Sequence, residues 1–371
     1  MAGVQLLSIP AVKEIPSSEF NSLVATLVTL LSDPEEKVQI TALHTLSELA
    51  KQEVFRDAIN RKLPALLESL EQEEWKIRVA ALKTCAALAG DVTFCEIVKQ
   101  AAPQIMACIK DPDYNVQLQA LNTLSQLSRE EAFWLTVSDA APHIMSQFES
   151  PSWSIRVQVL RTLSVFIEND AFGDIINSVL PRILESLSDR DDDVRVAAAE
   201  ILVTLIQHSI YQAPMRRAFQ DSGLDYALST LSDLTSDPFR SVRMAVLPLI
   251  PKVAELDVLR STEVSTIMLS IVDLLSEDKE EDMWIAALDT ISALVKQDVS
   301  YAEEIPPKPP KLTKQSVGAV VNVIPTIFSL FERTKEQRFW DAAAEVLLSL
   351  ASIGLPKSSL FLKFNHQISF I

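Results

Sequence analysis

The chain has 371 residues, of which 48% are hydrophobic, and a formal net charge of −17. A strongly acidic surface repels nucleic acid and anionic lipid, because both are polyanions, so neither is expected as a partner. The charge favours basic protein partners, or it keeps a leucine-rich chain soluble. Only 6 glycines occur, which argues against a turn-rich β architecture, and the many Ala and Leu residues favour helices.

Three residue columns recur at a fixed step of 39 residues in the first half of the chain. They are the prolines 64, 103, 142 and 181, the phenylalanines 55, 94, 133 and 172, and the branched apolar residues Val38, Ile77, Val116, Ile155 and Val194. A repeat of this length predicts a stacked array of small helical units.

Each repeat is predicted to contain two helices, helix A and helix B. Residues 1–16 are interpreted as a lead-in, and the first helix A begins near Ser17 and runs to about Leu31. Asp33 and Pro34 then break the helix, because proline cannot continue it. In later repeats the proline column lies within helix A, so helix A should either kink at proline or divide into two helices.

The first apolar residue of helix B identifies eight repeats between residues 17 and 351, with helix B starting near 38, 77, 116, 155, 194, 242, 283 and 339. Small residues lie four positions further on, and larger apolar residues lie eight positions on, so both fall on one helical face. Insertions are predicted at about 206–223 and 300–316. Residues 352–371 form an irregular C-terminal segment, either a truncated end that packs on repeat 8 or an apolar docking segment.

The repeats resemble HEAT repeats of the HEAT/armadillo superfamily. The resemblance is best in the run from Leu180-Pro181 through Ser188-Asp189 to Val194-Arg195. It implies an all-α fold, a right-handed α-α superhelix or solenoid, and a ladder in which Asp and Arg bond between neighbouring repeats. Here the Asp column reads Asp33, Gln72, Asp111, Ser150, Asp189, Asp237, Asp278 and Thr334, and the Arg column reads Gln39, Arg78, Gln117, Arg156, Arg195, Arg243, Trp284 and Trp340.

No catalytic or cofactor motif is present in the sequence. There is no glycine-rich phosphate loop, HExxH or GxSxG motif, and the carboxylates are periodic, whereas an active-site pair should be unique. The protein is therefore predicted not to be an enzyme and to need no cofactor. Three cysteines and four scattered histidines give no metal-site pattern and suit a reducing compartment. Without a signal peptide or membrane-length apolar run, the chain is expected to be cytoplasmic or nuclear.

Two surfaces are candidate partner-binding sites. The first, the ridge, lies six positions after the start of helix B and roughly opposite its buried stripe; it comprises His44, Lys83, Asn122, Arg161, Glu200, Asp289 and Glu345. Its character changes from basic or neutral to acidic along the array. In HEAT-like arrays helix B usually lines the concave face, so the resemblance makes the ridge an inner surface. It is interpreted either as a binding surface for an extended or helical partner or as an ordinary solvated face.

The second candidate surface is an acidic edge formed by the turns that precede helix B: Asp33, Glu36, Glu73, Glu74, Asp111, Asp191, Asp192 and Asp193. These carboxylates either cap helix N-termini, where they favour the helix dipole, or bind a basic segment of a partner.

Two further features have alternative interpretations. Trp75, Trp153, Trp284 and Trp340 lie at or near the start of helix B, where they serve either inter-repeat packing or binding. The proline-rich stretch 306–311 is either a plain linker or a ligand for SH3-type domains.

The predicted function is that of a non-catalytic interaction scaffold or adaptor with an extended curved helical surface. Two alternatives stay open: a transport receptor or assembly chaperone that grips a basic extended client, and a regulatory or scaffold subunit of a phosphatase-like complex. The last alternative reflects a 39-residue step similar to that of the scaffold subunit of a major serine/threonine phosphatase.

Overall fold

The structure, a computed structural model, describes residues 17–62, 64–221, 224–259, 261–277, 280–303 and 336–352, and the single residues 318, 324, 327, 330 and 334. The lead-in 1–16, the proline-rich stretch 306–311 and residues 353–371 lie outside these ranges. The described residues form α-helices and short 3-10 helices and no strand. The prediction of an all-α solenoid of helical repeats is confirmed.

The chain divides into two compact bodies, an N-terminal body (Met1–Val179) and a C-terminal body (Leu180–Ile371). The helices of the N-terminal body are α1 (Ser17–Thr29), α2 (Glu36–Ala50), α3 (Glu53–Asn60), α4 (Pro64–Ser69), α5 (Trp75–Leu88), α6 (Cys95–Gln100), α7 (Ala102–Cys108), α8 (Tyr114–Leu127), α9 (Trp134–Ser146) and α10 (Trp153–Phe166). Helix α11 (Gly173–Glu185) spans the boundary.

The helices of the C-terminal body are α12 (Asp192–Gln207), α13 (Ser209–Asp221), α14 (Leu224–Thr235), α15 (Arg240–Val246), α16 (Leu249–Glu255), α17 (Ser261–Glu277), α18 (Glu281–Glu303) and α19 (Gln337–Ser352). Helix α13 occupies the insertion that follows repeat 5. It buries one face through Tyr211, Met215 and Phe219, which are spaced four residues apart. The added residues therefore extend the core.

Proline divides helix A in some repeats and lies within an unbroken helix in others. In repeat 2 it divides the helix, since α3 ends at Asn60 and Pro64 begins α4. In repeat 3 Pro103 lies in the first turn of α7, where its missing N–H costs nothing. In repeat 4 Pro142 lies inside the continuous helix α9. A further proline, Pro248, separates α15 from α16, so helix B of repeat 6 is also divided, which the repeat pattern did not predict.

The aligned apolar columns form the core. In helix B the small column is buried at Ala42, Ala81 and Ala120, and the larger column is buried at Leu46 and Cys85. Consecutive B helices of the N-terminal body pack against one another, α2 on α5, α5 on α8 and α8 on α10. Small residues at the crossing allow this close approach, and larger ones fill the space between helices.

A threonine column holds the B helices in register. The hydroxyls of Thr84, Thr123 and Thr162 lie 3.2–3.4 Å from the carbonyl oxygens of Leu43, Leu82 and Leu121 in the preceding repeat. Thr84 and Thr123 share their hydroxyl hydrogen with the carbonyl oxygens of Ala80 and Gln119 in their own helix, at 2.9 and 2.8 Å. In the C-terminal body Thr290 donates in the same way to Leu247, at 3.1 Å. The bond joins equivalent positions each time, so equivalent residues of successive B helices lie side by side.

A second column closes the turn between helix A and helix B. In repeats 1 to 3 the side chain of the Arg column donates to the backbone oxygen of the Asp-column residue six positions earlier. Gln39 donates to Asp33 at 2.6 Å, and Arg78 donates to Gln72 at 2.7 Å. Gln117 does the same for Asp111. Glutamine and arginine are therefore equivalent in closing the turn, although in the sequence the glutamines read as gaps in the ladder.

Arginine adds a bond to the next repeat. Arg78 donates through Nε and Nη2 to both carboxylate oxygens of Asp111, at 2.8 and 2.7 Å, and this hydrogen bonding raises the pKa of the Arg78 guanidinium. Arg195 binds Asp237 in the same two-pronged manner, at 3.0 and 3.1 Å. The ladder thus runs from the arginine of one repeat to the aspartate of the following repeat, the direction that the sequence left open.

Candidate protein-binding surfaces

The ridge is solvent-accessible in both bodies. His44, Lys83 and Arg161 are exposed, and Asn122 is half-buried, on four consecutive B helices of the N-terminal body. The threonine bonds place equivalent positions of these helices side by side. The N-terminal part of the ridge is therefore one continuous stripe without an acidic residue.

The ridge residues of the C-terminal body are acidic but not all available. Glu200 and Asp289 are exposed, whereas Glu345 forms an ion pair with Lys296 of the preceding repeat. Desolvation raises the pKa of the Asp289 carboxyl, although Arg338 and Lys296 act in the opposite direction. In repeat 6 the stripe is interrupted, since its residue is Pro248 between two short helices.

The acidic edge contains two kinds of carboxylate. Some are bound within the fold: Asp33 accepts from the backbone N–H of Glu35 at 2.8 Å, Asp191 accepts from the N–H of Asp193 at 3.2 Å, and Asp111 binds Arg78. Glu36 pairs with Lys76 of repeat 2 at 3.0 Å. These carboxylates therefore have structural roles: they accept hydrogen bonds from backbone N–H groups near helix N-termini, or they form ion pairs with a neighbouring repeat.

The other edge carboxylates face solvent. Glu73, Glu74 and Asp193 are exposed, and Asp192 is half-buried. Glu73 and Glu74 lie in the turn that leads into α5, and Asp192 and Asp193 form the first turn of α12. The exposed negative charge of the edge is therefore concentrated at particular turns.

An open groove of about 550 Å³ lies between the turn of repeat 2 and helix A of repeat 3. Its lining includes the buried Arg78–Asp111 pair and the exposed Glu73. Glu71, also in the lining, accepts a hydrogen bond from Gln104 at 3.2 Å. The groove offers carboxylate oxygens beside an apolar wall, an arrangement suited to a cationic side chain with an aliphatic stem.

Two of the tryptophans near the start of helix B have opposite environments. Trp284 is 2% exposed and packs edge-on against Phe339 of the next repeat, with ring centroids 6.1 Å apart. Trp153, by contrast, is 47% exposed. Trp284 therefore has the packing role, and Trp153 is available at the surface.

Trp153 belongs to a surface column that the sequence analysis missed. Trp75, Tyr114 and Trp153 are each the first residue of a B helix and follow the 39-residue step. Tyr114 is 57% exposed and Trp75 is half-buried. We name these three residues the aromatic row. The 39-residue spacing of these aromatic residues is visible in the sequence, but the middle position is a tyrosine and so does not appear among the tryptophans.

Nothing in the described part of the chain groups three His, Cys, Asp or Glu side chains so that they could hold a metal ion. Burial raises the pKa of the Cys85 thiol to about 12 and that of Cys108 to about 11, so both stay protonated and poorly nucleophilic near neutral pH. Among the described helices, none is at once long enough and apolar enough to cross a membrane.

Comparison with known proteins places the repeats in a family. The family model described as the adaptin N-terminal region matches residues 17–299. This chain belongs to the adaptin N-terminal-region family. The predicted membership of the HEAT/armadillo superfamily is confirmed, because this family is HEAT-like. No curated protein matches the chain.

Solved structures with similar repeats include designed proteins. An engineered protein from a structural genomics consortium is 16% identical over 88% of each chain, with a TM-score of 0.48. A designed armadillo repeat protein in complex with the peptide (KR)4 is 15% identical, with a TM-score of 0.47, over 62% of this chain and 98% of its own. A computationally designed armadillo repeat protein for modular peptide recognition is also 15% identical, with a TM-score of 0.47, and the match covers 62% of this chain and 99% of that protein.

Proposed function

We propose that this adaptin N-terminal-region protein is a non-catalytic interaction scaffold or adaptor. The observation that carries the proposal is the register of the B helices. Their apolar faces are buried against one another, and the threonine bonds fix their alignment. A regular stripe of exposed polar side chains results, and repeat arrays use such extended surfaces for binding.

The ridge of the N-terminal body is the proposed contact surface for an extended or helical partner. Its exposed charged residues there are Lys83 and Arg161, so the part of the partner in contact with them should carry acidic side chains. The two residues lie on α5 and α10, with Asn122 of α8 between them. A partner must therefore span three repeats to meet both charges.

The test is charge reversal at the ridge. Lys83→Glu combined with Arg161→Glu is expected to weaken binding of the partner recovered with the full chain by about tenfold, or about 1.4 kcal/mol. The matched control is Lys62→Glu combined with Arg129→Glu, which changes the charge equally at exposed positions outside the ridge. If isothermal titration calorimetry gives the two double variants equal affinity for the partner, the ridge is excluded as the contact surface.

A second candidate function, a transport receptor or assembly chaperone for a basic extended client, is supported by the net charge of −17 and by the exposed Glu73, Glu74 and Asp193. Affinity purification with mass spectrometry separates the candidates. Several simultaneous partners favour the scaffold, and one basic client favours the receptor. Co-purifying phosphatase activity would instead favour a subunit of a phosphatase-like complex. The proposed location is the cytoplasm or nucleus, which microscopy of the tagged full chain tests.

A further inference from the structure

We infer that the aromatic row, Trp75, Tyr114 and Trp153, binds an extended peptide that carries arginine at every third position, with Tyr114 and Trp153 as the rings open to its arginines. The inference rests on the proposed function and assigns a ligand chemistry to a surface distinct from the ridge. It depends on three properties of the row: exposure, neighbouring charge and spacing.

The exposure of the row is unusual for large aromatic side chains. Tyr114 is 57% and Trp153 is 47% exposed, on adjacent B helices, whereas Trp284, which also lies near a helix B start, is almost completely buried. An exposed aromatic column that recurs in successive repeats presents ring faces at regular intervals. Rings that are partly apolar and partly polar are the side chains that protein interfaces favour.

Carboxylates accompany two of the three rings. Glu73 and Glu74 directly precede Trp75, and Asp113 directly precedes Tyr114. Asp113 also accepts from the N–H of Asn115 at 2.8 Å, which holds its carboxylate beside the helix start. A guanidinium can stack on an aromatic face while its N–H groups bind a carboxylate, so arginine suits this combination better than lysine.

The first ring of the row has a cation of this chain beside it. The Lys76 ammonium lies 5.8 Å from the centroid of the Trp75 ring and 3.0 Å from Glu36 Oε1. One cation is thus held between a ring and a carboxylate of the neighbouring repeat. At the corresponding positions repeats 3 and 4 have Asn115 and Ser154, which carry no charge, so this position offers no cation to Tyr114 or Trp153.

The spacing of the row selects the peptide conformation. Packed helices lie about 8–10 Å apart, and the threonine bonds keep the helix starts aligned. A polyproline II peptide rises about 3.1 Å per residue with three residues per turn, so every third side chain returns to the same face after about 9 Å. A β-extended peptide returns every second residue, after about 6.6 Å, and does not match.

The test uses the full chain and two fluorescein-labelled peptides of equal composition. The first has the sequence Arg-Pro-Ser three times, and the second is Arg-Ser-Arg-Ser-Arg-Pro-Pro-Pro-Ser. Fluorescence anisotropy is expected to show about tenfold tighter binding of the first peptide, since only its arginines match the row. Because total charge is the same, equal affinities would mean that general attraction explains the binding, and the inference would be wrong.

The matched variants separate the row from other exposed apolar side chains. Tyr114→Ala with Trp153→Ala should weaken the Arg-Pro-Ser peptide about tenfold through loss of two ring–guanidinium contacts. Val92→Ala with Leu135→Ala removes side chains that are 86% and 82% exposed elsewhere, and should leave binding unchanged. Equal binding by the two double variants would overturn the inference. Circular dichroism melting of each variant verifies folding.

If the aromatic variant does not fold, Glu73→Gln with Glu74→Gln replaces it. The neutralised chain should bind the Arg-Pro-Ser peptide about threefold more weakly and with a shallower salt dependence; unchanged binding and salt dependence count against the row. Failure of the row is distinguishable from failure of the proposed function. Equal binding of the Arg-Pro-Ser peptide by the wild type and the aromatic variant, in a chain that still captures a partner, refutes only the row, whereas a wild-type chain that captures no partner refutes the scaffold.

Discussion

The joint between repeats 2 and 3 and the joint between repeats 7 and 8 use opposite chemistry at the same place. In the first, the buried guanidinium of Arg78 binds both oxygens of Asp111. In the second, Trp284 occupies the arginine position and packs on Phe339, while the small, buried Thr334 occupies the aspartate position. An unpaired ion at either position would be costly, so both members change together.

The same matching accounts for the alternation in the N-terminal body. Gln39 precedes a repeat that has Gln72 in the aspartate column, and Gln117 precedes one that has Ser150. Arg78 precedes the repeat that has Asp111. All three side chains bind a backbone oxygen in their own turn, and of the three only Arg78 also binds the next repeat, through Asp111. The side chain is therefore chosen by the acceptor that the next repeat provides.

The largest expected effect is at the aromatic joint. Trp284→Ala should lower the free energy of unfolding by about 4 kcal/mol, because it removes a fully packed ring and leaves a cavity against Phe339. Urea unfolding measures the change. Trp153→Ala is the control, since that ring is half exposed and should cost less than about 1 kcal/mol. Comparable losses would mean that the two tryptophans are equally packed.

The next effect is at the ionic joint. Asp111→Ala should cost about 3 kcal/mol, because it leaves the Arg78 guanidinium buried without its partner. Asp33→Ala is the matched control: Asp33 makes the same turn bond to a backbone N–H and, among the described residues, forms no ion pair with an arginine, so about 1 kcal/mol is expected. The difference between the two free energies of unfolding isolates the bond between repeats, and a difference near zero would contradict its role.

The double variant Arg78→Gln with Asp111→Ser sharpens this result. It converts the joint to the kind formed by Gln117 and Ser150, in which no ion is buried. Its free energy of unfolding should lie above that of Asp111→Ala by at least about 1 kcal/mol, since glutamine can still close the turn. A double variant less stable than the single one would show that matching is not what decides the pair.

The smallest effect concerns the threonine column. Thr123→Val removes the hydroxyl contacts with Leu82 in the preceding repeat and with Gln119 in its own helix, and should cost about 1 kcal/mol. Thr45 occupies the same column in repeat 1, and its hydroxyl donates to Thr41 in its own helix, so Thr45→Val should be nearly neutral. Thermal unfolding of the two variants makes the comparison. Equal melting temperatures would indicate that the bond between repeats adds no stability.

The features that depend on periodic burial could be predicted from the sequence. The small column at Ala42, Ala81 and Ala120 is buried as a 3.6-residue periodicity requires, and the phenylalanine column is buried as well. These predictions succeed because hydrophobic burial is non-directional and leaves a strong pattern.

The directional contacts could not be predicted in the same way. Whether Arg78 binds an aspartate of the following or of the preceding repeat depends on how far neighbouring repeats are shifted along one another, and the sequence pattern does not give that shift. Glutamine reads as a gap in a column of ions, although its amide reaches the same backbone oxygen as arginine. The exposure of Tyr114 and Trp153 also depends on how far each helix start projects beyond its neighbour. The ridge and the acidic edge stay predictions.

The turn-closing side chains have a consequence for how such an array can lengthen or shorten. Excision of the 39 residues that carry Arg78 would bring Gln39 up against Asp111 and leave that acid without its cation. Excision of two adjoining repeats, 78 residues, brings Gln39 up against Ser150, and no charge is stranded. In this part of the chain, loss or duplication of repeats in pairs therefore keeps every buried acid matched to a cation, even though the visible periodicity is that of the single repeat.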